Sequence, residues 1–146
     1  MATIKIYSHL NMPSDKEALL IATFLYQHLE VYGDPIHEIQ MAMDYALKKN
    51  GKLGGLILTS WDIDELTGAT IINKTGMNGY IPDNILVYIA THSKYRGKGI
   101  GRLLMQEAIR HADGDIALHV EADNPARNLY ESLGFTNKYL EMRLKK

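Results

Sequence analysis

The chain has 146 residues, 46% hydrophobic and 23% charged, which fits one globular domain over residues 1–146 with room for a proper core and excludes a disordered segment. A formal charge of −1 and a sequence pI of about 6.6 exclude the global basic field that favours nucleic acid, so any anion site is local. Without cysteine there are no disulfides, thiolate nucleophiles or cysteine-ligated metals, and without a signal-peptide pattern or a membrane-length apolar run a soluble, cytoplasmic protein with no metal, membrane or nucleic-acid partner is expected.

Thr3 to Tyr7 alternates weakly, as a short first strand does. Ser14 precedes Glu17 by three, the spacing of a capping box, so a helix is expected from about residue 15, with Ala18, Ala22, Leu25 and Leu29 on its apolar face. Gly33-Asp34-Pro35 interrupts the pattern, with Asp34 as N-cap and Pro35 at the first position of a second helix. That helix buries Ile36, Ile39, Met43, Ala46 and Leu47 and stops at Asn50-Gly51. From Gly54 the period changes to two. Leu56–Trp61 and Ala69–Ile72 read as an antiparallel hairpin joined by the acidic turn Asp62-Ile63-Asp64-Glu65. A turn-rich loop from Lys74 to Asn84 leads to Ile85–Ala90, a run suited to a buried strand. A glycine-rich turn then opens a helix with Leu104, Met105, Ala108, Ile109 and Ala112 on one face. Ile116, Leu118 and Val120 alternate as a further strand, a short helix runs from Asp123-Asn124-Pro125 to Gly134, and Tyr139–Leu144 alternates as a last strand. The order predicts an α+β fold, a mixed sheet flanked by helices.

The turn Lys94-Tyr95-Arg96-Gly97-Lys98-Gly99-Ile100-Gly101-Arg102 reads as a phosphate cradle. Its glycines let the backbone adopt left-handed conformations and let an anion approach closely. The free N–H groups of the helix that follows, with the dipole behind them, favour negative charge there. Two other phosphate motifs fail on spacing. A G-x-G-x-x-G fingerprint begun at Gly97 meets Arg102 in sixth place, and begun at Gly99 meets Leu104; no segment fits G-x-x-x-x-G-K-[S/T].

What is present, Arg96-x-x-Gly99-x-Gly101 between a strand and a helix, resembles the acetyl-CoA loop of the GCN5-related N-acetyltransferase (GNAT) family. A second segment, Asn124-Pro125-Ala126-Arg127-Asn128-Leu129-Tyr130-Glu131-Ser132-Leu133-Gly134-Phe135, resembles that family's later motif N-x-x-A-x-x-L-Y-x-x-x-G-F. Six steps separate Asn124 from Tyr130 where the family pattern usually has seven, so either Asn124 or Asp123 fills the asparagine place.

The resemblance implies a GNAT-like acyl-CoA N-acyltransferase fold and direct acetyl transfer from acetyl-CoA to a primary amine of a small molecule or peptide. The alternative is a non-catalytic acyl-CoA-binding or sensing module. It implies that Arg96, Gly97, Lys98, Gly99, Ile100, Gly101 and Arg102 hold the coenzyme's pyrophosphate, that Ile89, Ala90 and Thr91 border its pantetheine arm, and that Asn124 and Tyr130 also contact it. Tyr130 is the candidate general acid. The general base is left open between His119 and Glu121, with Tyr88 and His92 as further candidates and water as another route. Lys94, Lys98, Arg102 and Arg127 either meet the 3′-phosphate or face solvent. Glu30, Tyr32, Asp34, His37 and Glu38 border the acceptor or simply form a solvated helix junction, the reading preferred here. A homodimer through the C-terminal strands is a further expectation.

Overall fold

The computed structural model describes residues 2–146. Five strands, β1 (Thr3–Tyr7), β2 (Gly55–Asp62), β3 (Glu65–Lys74), β4 (Asn84–Thr91) and β5 (Ile116–Leu118), form one sheet in the order β1-β2-β3-β4-β5. The first three pairings are antiparallel and β4–β5 is parallel, the mixed sheet that the element order implied. Helices α1 (Asp15–His28) and α2 (Ile36–Ala46) cover one face; α3 (Ile100–His111) and α4 (Ala126–Ser132) pack on the other.

The two-residue period sorts the core. Ile57, Trp61, Ala69, Ile71, Tyr88 and Ala90 meet Ile21, Leu25, Ile39 and Met43 from α1 and α2, whereas Leu58, Ile72 and Leu86 meet Leu104, Met105 and Ala108 from α3. Each face thus excludes water separately. The hairpin between β2 and β3 is tighter than its acidic run suggested: Asp62 pairs with Glu65, and Ile63, in a left-handed conformation, and Asp64 alone make the turn.

The start of α1 is capped as its sequence requires. Ser14 Oγ accepts from Glu17 N at 3.1 Å and Glu17 Oε1 accepts from Ser14 N at 2.9 Å, while Glu17 Oε2 also accepts from the Tyr7 hydroxyl at 2.7 Å and ties β1 to the helix. The start of α2 differs from expectation. Its N-cap is Pro35, with no side-chain cap, because the Asp34 carboxylate accepts instead from the Tyr88 hydroxyl of β4 at 2.5 Å. The helix ends at Ala46, ahead of Asn50-Gly51, since Lys48 and Asn50 take left-handed conformations.

Two further expectations are corrected. Ile109 is 42% exposed, so the apolar face of α3 is narrower than its spacing suggested. The last strand is absent: beyond Gly134 the chain joins no sheet, and the alternating side chains of Tyr139–Leu144 are bare. Alternation encodes a strand's faces but not the partner whose hydrogen bonds make it a strand.

Helix α3 sits directly on β3 at Gly68, where a Cβ would lie 2.8 Å from both Ile100 Cγ2 and Leu104 Cδ1. Gly68→Ala is therefore expected to destabilise the fold by about 1–3 kcal/mol through overpacking. It should also displace the first turn of α3, with the glycine turn attached to it. Urea unfolding checks this, and an unchanged midpoint would show that the contact relaxes without cost.

Candidate active site

At the C-terminal end of β4 the sheet opens. β5 pairs with β4 only from Asn84 to Leu86, through Ile116, Ala117 and Leu118, whereas β4 runs on to Thr91 beside β3 alone. From Val87 to Thr91, the backbone groups on the side away from β3 have no strand partner. Such groups need one from elsewhere. The opening follows a bulge: Ile71 pairs with Tyr88 and Ile72 with Leu86, leaving Val87 as the extra residue on β4. Ile89, Ala90 and Thr91 thus lie along the open side.

The glycine turn closes one end of this opening. After a single 3-10 turn at Ser93–Tyr95, Gly97 (φ 77°) and Gly99 (φ 82°) take left-handed conformations and α3 starts at Ile100. A Cβ at either glycine would meet nothing within 4 Å, so neither is small for packing reasons; both give the turn its path and keep it open to an incoming group. Gly101 differs: a Cβ there would lie 3.3 Å from Leu129 Cδ2 and 3.7 Å from Thr91 Oγ1, which shows how closely α3 packs against α4 and the end of β4. The N-cap Gly99 offers no side-chain oxygen, so the first-turn N–H groups of α3 remain available to an anion.

The charged side chains of the turn are mostly engaged within the protein. Arg96 forms an ion pair with Glu30 at 2.5 Å and donates to His28 O at 3.0 Å, lashing the turn to the end of α1. Arg102 donates to Ser132 Oγ at 2.7 Å and joins α3 to α4, and Arg127 pairs with Glu131 within α4. Lys98 lies over the Tyr95 ring, 5.2 Å from its centroid. The Tyr95 hydroxyl donates to Glu65 Oε1 at 2.6 Å, which with burial pushes its pKa up to about 12 and pins the β2–β3 hairpin to the turn. Tyr95 is a positioning residue that sequence reading missed. Its only signal was an aromatic residue inside a basic turn.

Tyr130 projects from α4 into the core cluster that holds Leu86, Ile100 and Leu104 and is packed by Ile89 and Leu129; it is 6% exposed. Its ring stands 6.0 Å from that of Phe135. Burial alone pushes its pKa up to about 12, with no charge or hydrogen bond contributing. The phenol therefore keeps its proton at neutral pH and has a free O–H to donate.

Asn124 Oδ1 accepts from the N–H of Ala126, the first residue of α4, at 2.9 Å, while Asp123 is exposed and its carbonyl accepts from the Tyr32 hydroxyl at 3.4 Å. His119 and Glu121 are both exposed and lie beyond β5, whose pairing ends at Leu118, rather than on it. Burial, then the charges of Asp123 and Glu121, raise the pKa of Tyr32 at the α1–α2 junction. The remaining base candidates have structural partners. Burial and the bond to Asp34 raise the pKa of Tyr88, which fixes it as a donor rather than a base near neutrality. His92 Nδ1 accepts from Lys94 N at 3.1 Å and shapes the turn.

His28 is the least anticipated neighbour of the turn. It is 8% exposed, its ring lies 4.3 Å from that of His92, and its Nδ1 accepts from Ser93 N at 3.3 Å. Burial first, then the nearby His92 and Arg96, lower its pKa from 6.5. The folded state thus binds its proton less readily than the unfolded chain does. His28 should cost stability as pH falls below 6.5, the loss levelling off below its depressed folded-state pKa. Urea unfolding of the wild type and His28→Gln at pH 7.5 and 5.0 tests this: the variant should lose less stability across the interval, and an equal loss would remove His28 as the source.

A family model described as an acetyltransferase (GNAT) domain matches residues 53–137. Two mycothiol acetyltransferases are similar in sequence: that of Corynebacterium glutamicum (strain R), 36% identical over 86 residues, and that of Corynebacterium efficiens, 39% identical over 85. In each case the match covers 55% of this chain, but only 28% and 27% of the relatives' own lengths. The fold is similar to a GNAT family protein of Streptococcus pneumoniae (TM-score 0.70, 22% identity, 100% of this chain and 98% of that one). It is similar also to the ribosomal-protein-S18-alanine N-acetyltransferase of Escherichia coli (0.70, 18%, 95% and 80%). An aminoglycoside N-acetyltransferase in complex with CoA gives 0.71 at 14% identity, covering 100% and 95%. The family match spans the whole opening, from the hairpin before β4 to the residues just after α4, and the chain belongs to the GNAT acetyltransferase family.

Proposed function

We propose that this protein is an acetyl-CoA-dependent N-acetyltransferase that moves an acetyl group directly to a primary amine of a small molecule or peptide. The observation that carries the reading is the opening between β4 and β5, with an open glycine turn at one end and the protonated, buried Tyr130 packed beside it. Acetyl-CoA supplies the activated acyl group as a thioester. Main-chain N–H groups at Gly97–Gly101 suit its pyrophosphate, and the unpaired groups of Val87–Thr91 suit the amide-bearing arm and the thioester oxygen, where a hydrogen bond stabilises developing negative charge. Tyr130 donates to the departing sulfur. Asn124, its oxygen committed to the N–H of Ala126, keeps its amide N–H groups for the coenzyme.

The acceptor must reach the opening as a neutral amine. His119 and Glu121 are the two base candidates, both exposed just beyond the end of β5. The mycothiol, aminoglycoside and ribosomal-protein acetyltransferases among the similar proteins support a primary-amine acceptor without choosing its scaffold. No helix among the described residues is long and apolar enough to cross a membrane.

Calorimetric titration with CoA, acetyl-CoA, NAD and ATP tests the donor assignment. Binding of CoA and acetyl-CoA, with the two nucleotides at least tenfold weaker (about 1.4 kcal/mol), is expected. Equal binding of all four would reduce the turn to a generic phosphate site.

A further inference from the structure

The link from α1 to α2 is tied at alternate residues to three parts of the opening. Glu30, which takes a left-handed conformation at φ 55°, pairs with Arg96 of the glycine turn. The Tyr32 hydroxyl donates to Asp123 O in the segment after β5, and Asp34 Oδ2 accepts from the Tyr88 hydroxyl of β4 at 2.5 Å. The link thus reaches from one side of the opening to the other. It does so on the face where Tyr88 packs with α1 and α2, whereas Tyr130 packs with α3 on the opposite face. With the sulfur of acetyl-CoA beside Tyr130, this is the face left to an acceptor.

Asp34 is aimed at this face rather than at its own helix. An aspartate just before a helix ordinarily gives an oxygen to the first-turn N–H groups, yet α2 has no side-chain cap. Tyr88, only 9% exposed, holds Oδ2 instead, while Asp34 itself is exposed and its Oδ1 has no hydrogen-bond partner among the described residues. Its charge also lacks a counter-ion nearby in the chain. Between Lys16 and Lys48, and again between Arg110 and Arg127, there is no lysine or arginine, so neither segment bordering this face supplies one. Both charges that act on the Tyr88 hydroxyl, those of Asp34 and Glu38, are negative. A carboxylate fixed at the mouth of a site, open to solvent on one oxygen, is complementary to a cation brought by the substrate.

We infer that the acceptor carries a second, non-reacting cationic group and that Asp34, held by Tyr88, binds it. The inference rests on the acetyl-transfer reading above and narrows its acceptor to amines that also bear an ammonium or guanidinium group. The reacting nitrogen is not the one bound. It must come within about 3–3.5 Å of the thioester carbon, beside the main chain of β4, whereas the Asp34 carboxylate stands at the outer end of the Tyr88 side chain. Tyr88 is a positioning residue: it fixes the direction of the carboxylate and leaves the contact with the cation to Asp34.

Thiol release from acetyl-CoA by the full chain, compared for n-alkylamines and α,ω-diaminoalkanes of matched length, tests this. For at least one length the diamine KM should be about fivefold lower or more, beyond the factor of about two that its equivalent ends supply, and the preference should shrink as salt is raised. Asp34→Asn keeps an oxygen for Tyr88 and removes the charge, so it should bring the diamine KM up to that of the monoamine. Tyr88→Phe should lose part of the preference, because the carboxylate remains but is no longer held. Equal KM values in the wild type overturn the inference, as does a preference that survives in Asp34→Asn. A parallel rise for monoamines in Asp34→Asn would mean that Asp34 only shapes the link, and overturns it too. If neither series releases thiol, the acetyl-transfer reading fails, and calorimetric titration of the CoA-loaded protein with 1,4-diaminobutane decides the anchor separately. Binding lost in Asp34→Asn would uphold it, and no binding would overturn it.

Discussion

Tyr130→Phe is expected to lower kcat by about 10²–10⁴-fold at saturating acetyl-CoA, while CoA affinity and the urea midpoint stay close to those of the wild type. The substitution deletes one oxygen and leaves the ring that packs with Leu86, Ile100 and Leu104, so the core loses nothing of its shape. Among the described residues the hydroxyl has no hydrogen-bond partner to orphan. With its pKa pushed up to about 12 by burial, Tyr130 is a much weaker acid than a thiol, whose ordinary pKa is about 8.5. Full proton transfer to a thiolate would be uphill if both were in water. The same burial destabilises a thiolate leaving beside it, which narrows the gap, and a hydrogen bond that strengthens as sulfur gains charge acts even before the proton moves. Tyr130 should contribute no limb to the pH–rate profile below about pH 11, because its ionisation lies near 12. Single-turnover kinetics distinguish this from a packing role: a kcat within twofold of wild type would mean that the phenol only fills space.

Gly99→Asp is expected to weaken CoA binding far more than Gly99→Asn does, by about tenfold or more in the ratio of their Kd values. Both side chains are of similar size, and both tolerate the left-handed backbone that Gly99 holds at φ 82° better than other residues do. A Cβ at this position meets no neighbour, so packing does not separate them. What separates them is a carboxylate at the start of α3, beside the N–H groups that an anion must use. The charge stabilises the helix end and repels pyrophosphate, so folding and binding should move in opposite directions: the aspartate variant at least as stable as the asparagine variant, yet the weaker binder. The difference should shrink as salt is raised. Equal affinities would place the pyrophosphate elsewhere.

The parts of the site visible in the sequence are those made from consecutive residues. The glycine turn works through main-chain groups of adjacent positions, so Gly97, Gly99 and Gly101 mark it directly, and Leu129-Tyr130 with Gly134-Phe135 mark α4 for the same reason. Ser14 and Glu17 marked the start of α1 because a capping box closes within four residues. The rest depends on pairing between distant segments, about which local pattern is silent. The bulge at Val87 and the early end of β5 exist only through the registers of β3–β4 and β4–β5. Asp34 was read as a cap because it precedes proline. Tyr88, 54 residues away, claims its carboxylate instead. Arg96 was read as a phosphate ligand from its place in the turn, and the Glu30 that engages it belongs to the end of α1. His119 and Glu121 were placed on a strand by alternation that continued past the last β4–β5 pair.

The most direct test of the account is thiol release from acetyl-CoA by the intact protein, measured against polyamines, amino acids, aminoglycosides and peptides with free N-termini. The account predicts stoichiometric thiol release and N-acetylation with at least one primary amine, slowed about 10²–10⁴-fold in Tyr130→Phe and weakened in Gly99→Asp at subsaturating acetyl-CoA. Tight coenzyme binding with no thiol released across the whole panel would contradict it and mark the fold as an acyl-CoA-binding module.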